Sequence, residues 1–397
     1  MDEAVAQKQS LWFLQDHFRR FYQTKPIELP DRFSRREYAC VFFGGKGMLR
    51  HLAFPLKHTF HEFLIERAPA HTYYSTAYYL TPDAPTMQEK GWMGAELIFD
   101  LDADHLPNVE TIPYERQLML VKKEFYKLVD DFLINDFGFE EQHLELYFSG
   151  GRGYHCHVKD PRINQLDSSE RREIVDYIIG RDLIDALVFQ DHTTEVKKYG
   201  DRVYPGATTL RMPAPTEPGW KGRISRGLIE IIEEITSSDD PVEKLQEYGV
   251  QKQTAEKLLE DLSEERVQRI KQGQLDQSKA IRKFFLNNAL RKTAVSFASG
   301  ETDEPVTCDV KRLIRLPGSL HGKTGLQVTK VTLDTLKDFD PLNDAVVFSD
   351  EPVSLEMMHD TSVYLKKNTY HLKKGINTVP LFIAIFLIGG RRAVISI

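Results

Sequence analysis

Hydrophobic and polar residues alternate through the segment 96–104, which is the period of a β-strand with one buried face. One face is apolar and the other carries two aspartates: Leu97, Phe99 and Leu101 against Ile98, Asp100 and Asp102. Two shorter β-type runs, 144–148 and 154–158, flank a glycine-rich segment at 149–153. The pattern predicts three strands, two of which are joined by a glycine-rich turn.

Helical spacing dominates the segment 230–290, where apolar residues recur every three or four positions. Asp240 and Pro241 form a plausible helix start, and a further helix is predicted over 278–290. The apolar run 381–388 falls far short of the ~20 residues that span a bilayer, so it predicts a buried helix or strand. No membrane span is expected.

Strand signals on both sides of these helices predict a mixed α/β protein of the α+β type. We expect 1–160 and 293–397 to form the two parts of one catalytic core, and 161–292 to be a mainly helical insert. The first six residues carry two acids and no basic residue, so no export signal is predicted and a cytoplasmic location is expected.

Charge is distributed unevenly along the 397 residues, whose net charge is −7. The segment 197–226 has net charge +5 and includes Tyr199, Tyr204 and Trp220, a composition suited to a phosphate backbone with bases to stack on. The segment 230–265 has net charge −9, which exceeds the total for the chain. The overall charge therefore says little about the partner of any one site.

Three cysteines, Cys40, Cys156 and Cys308, lie far apart in the sequence. This spacing provides neither a disulfide framework nor a CxxC metal pair, and it fits a reducing compartment. No zinc site is predicted.

Asp100 and Asp102 would project from the same face of their strand, because residues two apart lie on one side of a sheet. Such a pair can hold divalent cations ~3.5 to 4 Å apart, the arrangement used in phosphoryl and nucleotidyl transfer. The alternative is an acidic strand end that merely faces solvent.

The segment 149–158 has the residue types of a polyphosphate cradle. Its glycines allow close backbone approach, Ser149 offers a hydroxyl and Arg152 a two-pronged phosphate contact. His155 and His157 share one strand face, and His155 is the better candidate for a phosphate contact. The alternative is an ordinary hairpin turn with an exposed arginine.

The segment 312–325 carries the third candidate cluster, Arg315, His321 and Lys323. Gly322, Lys323 and Thr324 resemble the end of a P-loop, but that motif needs glycine where Pro317 stands, so a P-loop ATPase is rejected. The three basic residues remain as candidate phosphate contacts, with a surface turn as the alternative.

Together and in this order, these segments resemble the small, catalytic subunit of archaeal and eukaryotic DNA primase. The sequence Asp100-Leu101-Asp102 is similar to the family's DxD motif, and 149–158 to its SxxRGxH motif. The segment 312–325 matches its RLIRLPGSLHGKTG segment, and 50–54 and 75–79 are similar to segments upstream. The resemblance implies the primase catalytic core with an inserted helical subdomain.

The resemblance also implies roles for individual residues. Asp100, Asp102 and a third aspartate would bind Mg²⁺ or Mn²⁺; Asp303, eighteen residues before His321, has the family's spacing, and Asp309 is the runner-up. Contacts to the phosphates of the incoming nucleotide are expected from six residues: Ser149, Arg152, His155, Arg315, His321 and Lys323.

The implied function is a DNA-directed RNA polymerase that makes RNA primers from NTPs on single-stranded DNA, in complex with a larger primase subunit. Three alternatives stay open: a stand-alone primase-polymerase of DNA repair, a catalytically silent nucleic-acid-binding subunit, and a metal-dependent phosphodiesterase. Dependence on the large subunit would separate the first from a primase. Retention of Asp100, Asp102 and a third acid counts against a silent subunit, since clustered carboxylates repel one another without a cation.

Overall fold

The computed structural model describes residues 3–105, 109–181, 183, 190–193, 197–200, 202–204, 208–275, 284, 287–289, 292–293 and 304–396. Asp303 and most of the predicted helix over 278–290 lie outside these residues.

The strands, in chain order, are β1 Tyr38–Val41, β2 Met48–Leu52, β3 His71–Ser75, β4 Ala77–Tyr79, β5 Trp92–Ala95, β6 Leu97–Asp102, β7 Leu144–Phe148, β8 Gly153–Val158, β9 Gln190–Thr193, β10 Lys197–Tyr199, β11 Arg202–Tyr204, β12 Thr208–Arg211, β13 Gln274–Leu275, β14 Leu313–Arg315, β15 Thr329–Val331, β16 Pro352–Met357, β17 Thr361–Leu365, β18 Asn368–Leu372, β19 Gly375–Pro380 and β20 Ala393–Ile395.

The α-helices are α1 Glu3–Thr24, α2 Lys57–Arg67, α3 Met87–Lys90, α4 Tyr114–Lys127, α5 Ser168–Ile179, α6 Gly219–Thr236, α7 Pro241–Glu247, α8 Lys252–Asp261, α9 Glu264–Lys271, α10 Glu304–Cys308, α11 Leu333–Leu336, α12 Pro341–Asp344 and α13 Leu381–Gly389. The π-helical segment Leu128–Ile134 continues directly from α4.

The chain divides into two compact units. The first consists of Met1–Asp130, Phe139–Glu173 and Phe297–Ile397, and the second of Asp131–Gly138 and Ile174–Ser296. The mixture of helices with several small antiparallel sheets confirms the predicted α+β class. The predicted division into a catalytic core and a helical insert, with boundaries at 160 and 292, stays a prediction.

Two four-stranded antiparallel sheets organise the first unit, in the strand orders β14-β3-β1-β2 and β15-β7-β8-β6. The alternating segment 96–104 forms β6, and the two runs around the glycine-rich segment form the hairpin β7–β8, as predicted. Asp100 on β6 lies opposite His155 on β8, and Asp102 lies opposite Gly153. Two candidate motifs that stand fifty residues apart in sequence are therefore neighbours across one pair of strands.

Arg36 and Glu96 form an ion pair within the first unit, and both side chains are fully buried. Tyr78 donates a hydrogen bond to Glu96 over 3.1 Å, and His157 Nδ1 lies 3.3 Å from the other carboxylate oxygen. Burial opposes ionisation of Glu96, but Arg36, His157 and Lys159 together outweigh it and hold the pKa of Glu96 below its ordinary value. The pair joins the segment before β1 to the start of β6.

The apolar run 381–388 forms helix α13, and all eight of its side chains are buried. This confirms the prediction of a buried element. No helix in the described part of the chain is long and apolar enough to cross a membrane.

Helices α6 to α9 of the second unit account for most of the acidic segment 230–265. Asp240 accepts hydrogen bonds from the backbone N–H groups of Val242 and Glu243, which confirms the predicted start of α7. Two residues of the segment 197–226, which the sequence analysis interpreted as suited to nucleic acid, are instead buried on α6: Trp220 and Arg223. Arg223 pairs with Asp136 over 2.7 Å, so neither side chain is available to bases or phosphates.

Removing one partner of the buried pair should destabilise the first unit strongly. We expect Glu96→Ala to lower the free energy of unfolding by about 3 to 5 kcal/mol, because Arg36 would keep its charge without a counter-ion. Urea denaturation followed by tryptophan fluorescence measures the change.

The exposed pair of Lys373 and Asp360 provides the control. Asp360→Asn should leave the free energy of unfolding almost unchanged, since a solvated ion pair contributes little. Equal effects of the two substitutions would contradict the account of the core.

Candidate active site

A cavity of about 690 Å³ in the first unit brings most of the predicted site residues together. Eight of them line it: Asp100, Asp102, Ser149, Arg152, His155, Arg315, His321 and Lys323. Asp303 lies outside the described residues. Asp309 is exposed, accepts a hydrogen bond from the backbone of Lys311, and is not among the residues that line the cavity.

Asp100 and Asp102 enter the cavity from the end of β6. The Nε2 atom of His155 lies 3.3 Å from an Asp100 oxygen, so this ring contacts the carboxylate directly. Burial favours the neutral acid, but His155, Arg312 and Arg315 together lower the pKa of Asp100. Burial and the charges of Asp100 and Asp104 raise the pKa of Asp102, despite a hydrogen bond from the Asp104 backbone.

The glycine-rich turn between β7 and β8 is held by its own serine. The Ser149 oxygen accepts hydrogen bonds from the N–H groups of Gly151 and Gly153, each at 3.2 Å. The hydroxyl proton of Ser149 is therefore available for a ligand in the cavity. Arg152, the next side chain on the turn, forms an ion pair with Asp104.

Strand β14 contributes Arg315 to the cavity, and its guanidinium donates to Nδ1 of His71 over 2.7 Å. The backbone N–H of Gly322 donates to the same nitrogen over 3.2 Å. Burial, together with the charges of Arg315 and Lys323, lowers the pKa of His71 to about 3. A neutral His71 thus ties the Arg315 side chain to the turn that carries His321 and Lys323.

The tautomer of His321 follows from its hydrogen bonds. The Thr324 hydroxyl donates to the carbonyl of Gly150 over 2.6 Å, so its oxygen accepts from His321 Nδ1, 3.0 Å away. Nε2 is then the unprotonated nitrogen. Burial and the neighbouring cations, Arg315 first, lower the pKa of His321 well below its ordinary value.

The cavity is also lined by residues that the sequence analysis did not predict, among them Tyr114, Arg312, Phe386 and Arg392. Tyr114 begins α4 and donates a hydrogen bond to the carbonyl of Gly151, which fixes the glycine-rich turn from outside. Arg312 belonged to a quoted motif without an assigned role, whereas nothing in the local sequence around Phe386 or Arg392 indicates a site.

The described residues contain no group of three or more His, Cys, Asp or Glu side chains placed to hold a metal ion. Asp100 and Asp102 provide two carboxylates on one strand face, and their oxygen atoms are ligands that suit Mg²⁺ and Mn²⁺. The donor set therefore fits a hard divalent cation, with the third predicted ligand outside the described residues.

The sequence model of the family described as DNA primase small subunit matches residues 99–333, which include every predicted site residue. The chain belongs to this family. The DNA primase small subunit family also provides relatives that match over nearly the whole length of the chain.

The DNA primase small subunit PriS of Methanococcoides burtonii is 42% identical over 383 residues, covering 95% of this chain and 96% of the relative. That of Methanocella arvoryzae is 39% identical, with 94% and 96% covered. That of Picrophilus torridus is 37% identical, with 94% and 95% covered. These matches extend well beyond the segment covered by the family model, into the C-terminal part of the chain.

Replacing His71 should reduce the acid sensitivity of the fold. In the unfolded chain His71 takes up a proton near pH 6.5, whereas in the folded chain it does so only near pH 3. The free energy of unfolding therefore falls as the pH drops through this interval, because the unfolded state binds the extra proton. In His71→Asn the amide oxygen can accept from Arg315 and Gly322 but cannot take up a proton.

Urea unfolding at roughly pH 7.5 and pH 4.5 measures the difference. The wild-type chain should lose about 2 kcal/mol more than His71→Asn between the two conditions. Parallel losses in the two chains would show that His71 is not held neutral in the folded state.

Proposed function

We propose that this chain is the catalytic small subunit of a DNA primase, a DNA-dependent RNA polymerase that joins ribonucleotides on a single-stranded DNA template. The observation that carries the proposal is that Asp100 and Asp102 line the same cavity as Arg315 and Lys323. A phosphodiesterase needs the carboxylates, but it has no use for a second wall of cations suited to a polyphosphate.

In the proposed reaction the 3′ oxygen of the growing strand forms a bond to the α-phosphorus of the incoming nucleotide. The bond between the α-phosphorus and the bridging oxygen breaks, pyrophosphate leaves, and the 3′ hydroxyl proton passes to solvent. Asp100 and Asp102, with Asp303 as the third ligand, would hold Mg²⁺ or Mn²⁺. When bound, these ions would neutralise negative charge on the reacting phosphates. His155 would orient the Asp100 carboxylate through its contact at Nε2.

The polyphosphate would lie between the glycine-rich turn and the 315–323 wall. Ser149 offers its free hydroxyl proton, and Arg152 can exchange Asp104 for a phosphate because both side chains are partly exposed. Arg315 is held in place by His71. His321 can donate from Nε2 only after it gains a proton, which the charge of a bound polyphosphate would favour.

The relatives are named as small subunits, which supports a complex with a larger primase subunit. A stand-alone primase-polymerase would share the same cavity, so initiation with and without a large subunit separates the two. For the template, the segment 197–226 keeps Arg211 and Lys221 beside a cavity of about 350 Å³ in the second unit. This cavity remains a candidate contact for the DNA backbone.

The proposal is tested by incorporation of labelled NTPs on single-stranded DNA, with and without Mg²⁺ or Mn²⁺. We expect product only with a divalent cation. Asp100→Asn and Asp102→Asn should fold normally and lose nearly all synthesis, since the amide keeps the shape of the carboxylate but not its charge. Mn²⁺ affinity should fall in both variants.

Asp309→Asn is the matched control, because Asp309 is exposed outside the cavity. It should retain synthesis and Mn²⁺ binding. Metal-independent synthesis, or an Asp309→Asn variant that is folded but inactive, would contradict the assignment of the carboxylates.

Arg152 tests the polyphosphate cradle. Arg152→Ala should raise the KM for NTP by about 10- to 100-fold, which corresponds to the ~1.5 to 3 kcal/mol of a charged hydrogen bond. Arg152→Lys should recover only part of this loss, since a lysine has no two-pronged donor geometry. Steady-state kinetics on both variants provide the comparison, and full activity of Arg152→Lys would argue against a two-pronged contact.

A further inference from the structure

The C-terminal end of the chain forms part of the cavity wall. Phe386, Gly390 and Arg392 line it, although the family model ends at residue 333. Helix α13 and strand β20 therefore contribute to a site whose recognised motifs all lie earlier in the sequence.

Close packing fixes the end of α13 against the basic turn. A Cβ atom at Gly389 would lie 2.8 Å from the carbonyl oxygens of both Gly322 and Lys323, so only glycine permits this approach. Arg391 then adopts a left-handed backbone with φ +56°, a conformation that a residue with a side chain rarely takes. This turn brings the chain from the helix to Arg392.

The backbone of Arg392 is anchored on both sides. Its N–H donates to the carbonyl of Leu387 over 2.8 Å, and its carbonyl accepts from the N–H of Met358 over 3.1 Å. The side chain is exposed, with its guanidinium 5.7 Å from the ring of Phe386. Arg392 has no carboxylate partner in the described part of the chain, whereas Arg152 is paired with Asp104.

Phe386 and Tyr114 connect this arginine to the glycine-rich turn. Their ring centroids lie 6.0 Å apart, and Tyr114 donates its hydroxyl proton to the carbonyl of Gly151. Arg392 therefore lines the same cavity as Lys323 and Arg152, on a segment that packs against the Lys323 backbone through Gly389. Five cationic side chains line the cavity against three carboxylates: Arg152, Arg312, Arg315, Lys323 and Arg392 against Asp100, Asp102 and Asp104.

We propose that Arg392 is a further polyphosphate-binding residue, which contacts the terminal phosphates of the incoming nucleotide and the pyrophosphate released from it. This inference rests on the proposed function. An arginine in the cavity without a carboxylate partner can pair with a negatively charged ligand. Its planar guanidinium can donate hydrogen bonds to two phosphate oxygens at once. A template strand is the other source of phosphate, but the anchoring of Arg392 beside Lys323 favours the nucleotide.

Calorimetric titration of the full-length chain with ATP, pyrophosphate and AMP in the presence of Mg²⁺ tests this assignment. The quantity compared is the affinity for each ligand. Arg392→Gln should weaken ATP and pyrophosphate binding by about tenfold or more and leave AMP binding within about twofold. Arg392→Lys should show an intermediate loss. Affinity for single-stranded DNA without nucleotide should be unchanged in both variants.

Arg391→Ala is the control, since it removes an equal charge one residue away and Arg391 does not line the cavity. It should bind every probe as the wild-type chain does, and the melting temperatures of all variants should agree. Unchanged ATP and pyrophosphate affinities in folded Arg392→Gln would overturn the inference, as would an equal loss for AMP. Loss of DNA affinity alone would overturn it in favour of a template contact.

These outcomes are distinct from failure of the proposed function. A wild-type chain that binds ATP through Arg392 but makes no product on single-stranded DNA, with or without a large subunit, would overturn the polymerase and leave the polyphosphate contact standing. A wild-type chain that makes product, with Arg392→Gln kinetically identical to it in KM for NTP, would overturn only the role of Arg392.

Discussion

The antiparallel pairing of β6 with β8 is the constraint on which the cavity depends. It sets Asp100 opposite His155 and Asp102 opposite Gly153, so the carboxylates and the glycine-rich turn share one edge of the sheet. A Cβ atom at Gly153 would lie 2.2 Å from the carbonyl oxygen of Leu101, so the strands can pair this closely only with glycine there. A shift of one residue would turn both aspartates to the opposite face.

Arg152 pairs with Asp104 in the cavity, but Arg315 does not pair with the two predicted metal-binding carboxylates, Asp100 and Asp102. Arg315 is tied to a neutral His71 instead of to Asp100 or Asp102, and the Tyr114 hydroxyl holds the turn that carries Arg152. The cavity can therefore present carboxylates to divalent cations and cationic side chains to phosphates. Direct ion pairing across the cavity would remove both functions, since each charge would already have its partner.

Local sequence patterns predicted the elements better than the contacts between them. Alternation around Asp100 identified β6, and the apolar run 381–388 identified the buried α13, because burial periodicity is a property of a single segment. The buried pair of Arg36 and Glu96, the cavity position of Arg392 and the burial of Arg223 depend on contacts across long stretches of sequence. A charged side chain has the same local signature whether it is solvated, paired in a core or directed at a ligand, so these roles needed the fold.

The central claim is that one cavity holds the divalent cation and the nucleotide polyphosphate together. Anomalous scattering from crystals of the full-length chain soaked with Mn²⁺ and a non-hydrolysable NTP tests it most directly. The account predicts a manganese peak in contact with the carboxylates of Asp100 and Asp102, with the polyphosphate between Arg152 and Arg315. Manganese bound away from both aspartates, or a polyphosphate bound outside this cavity, would contradict it.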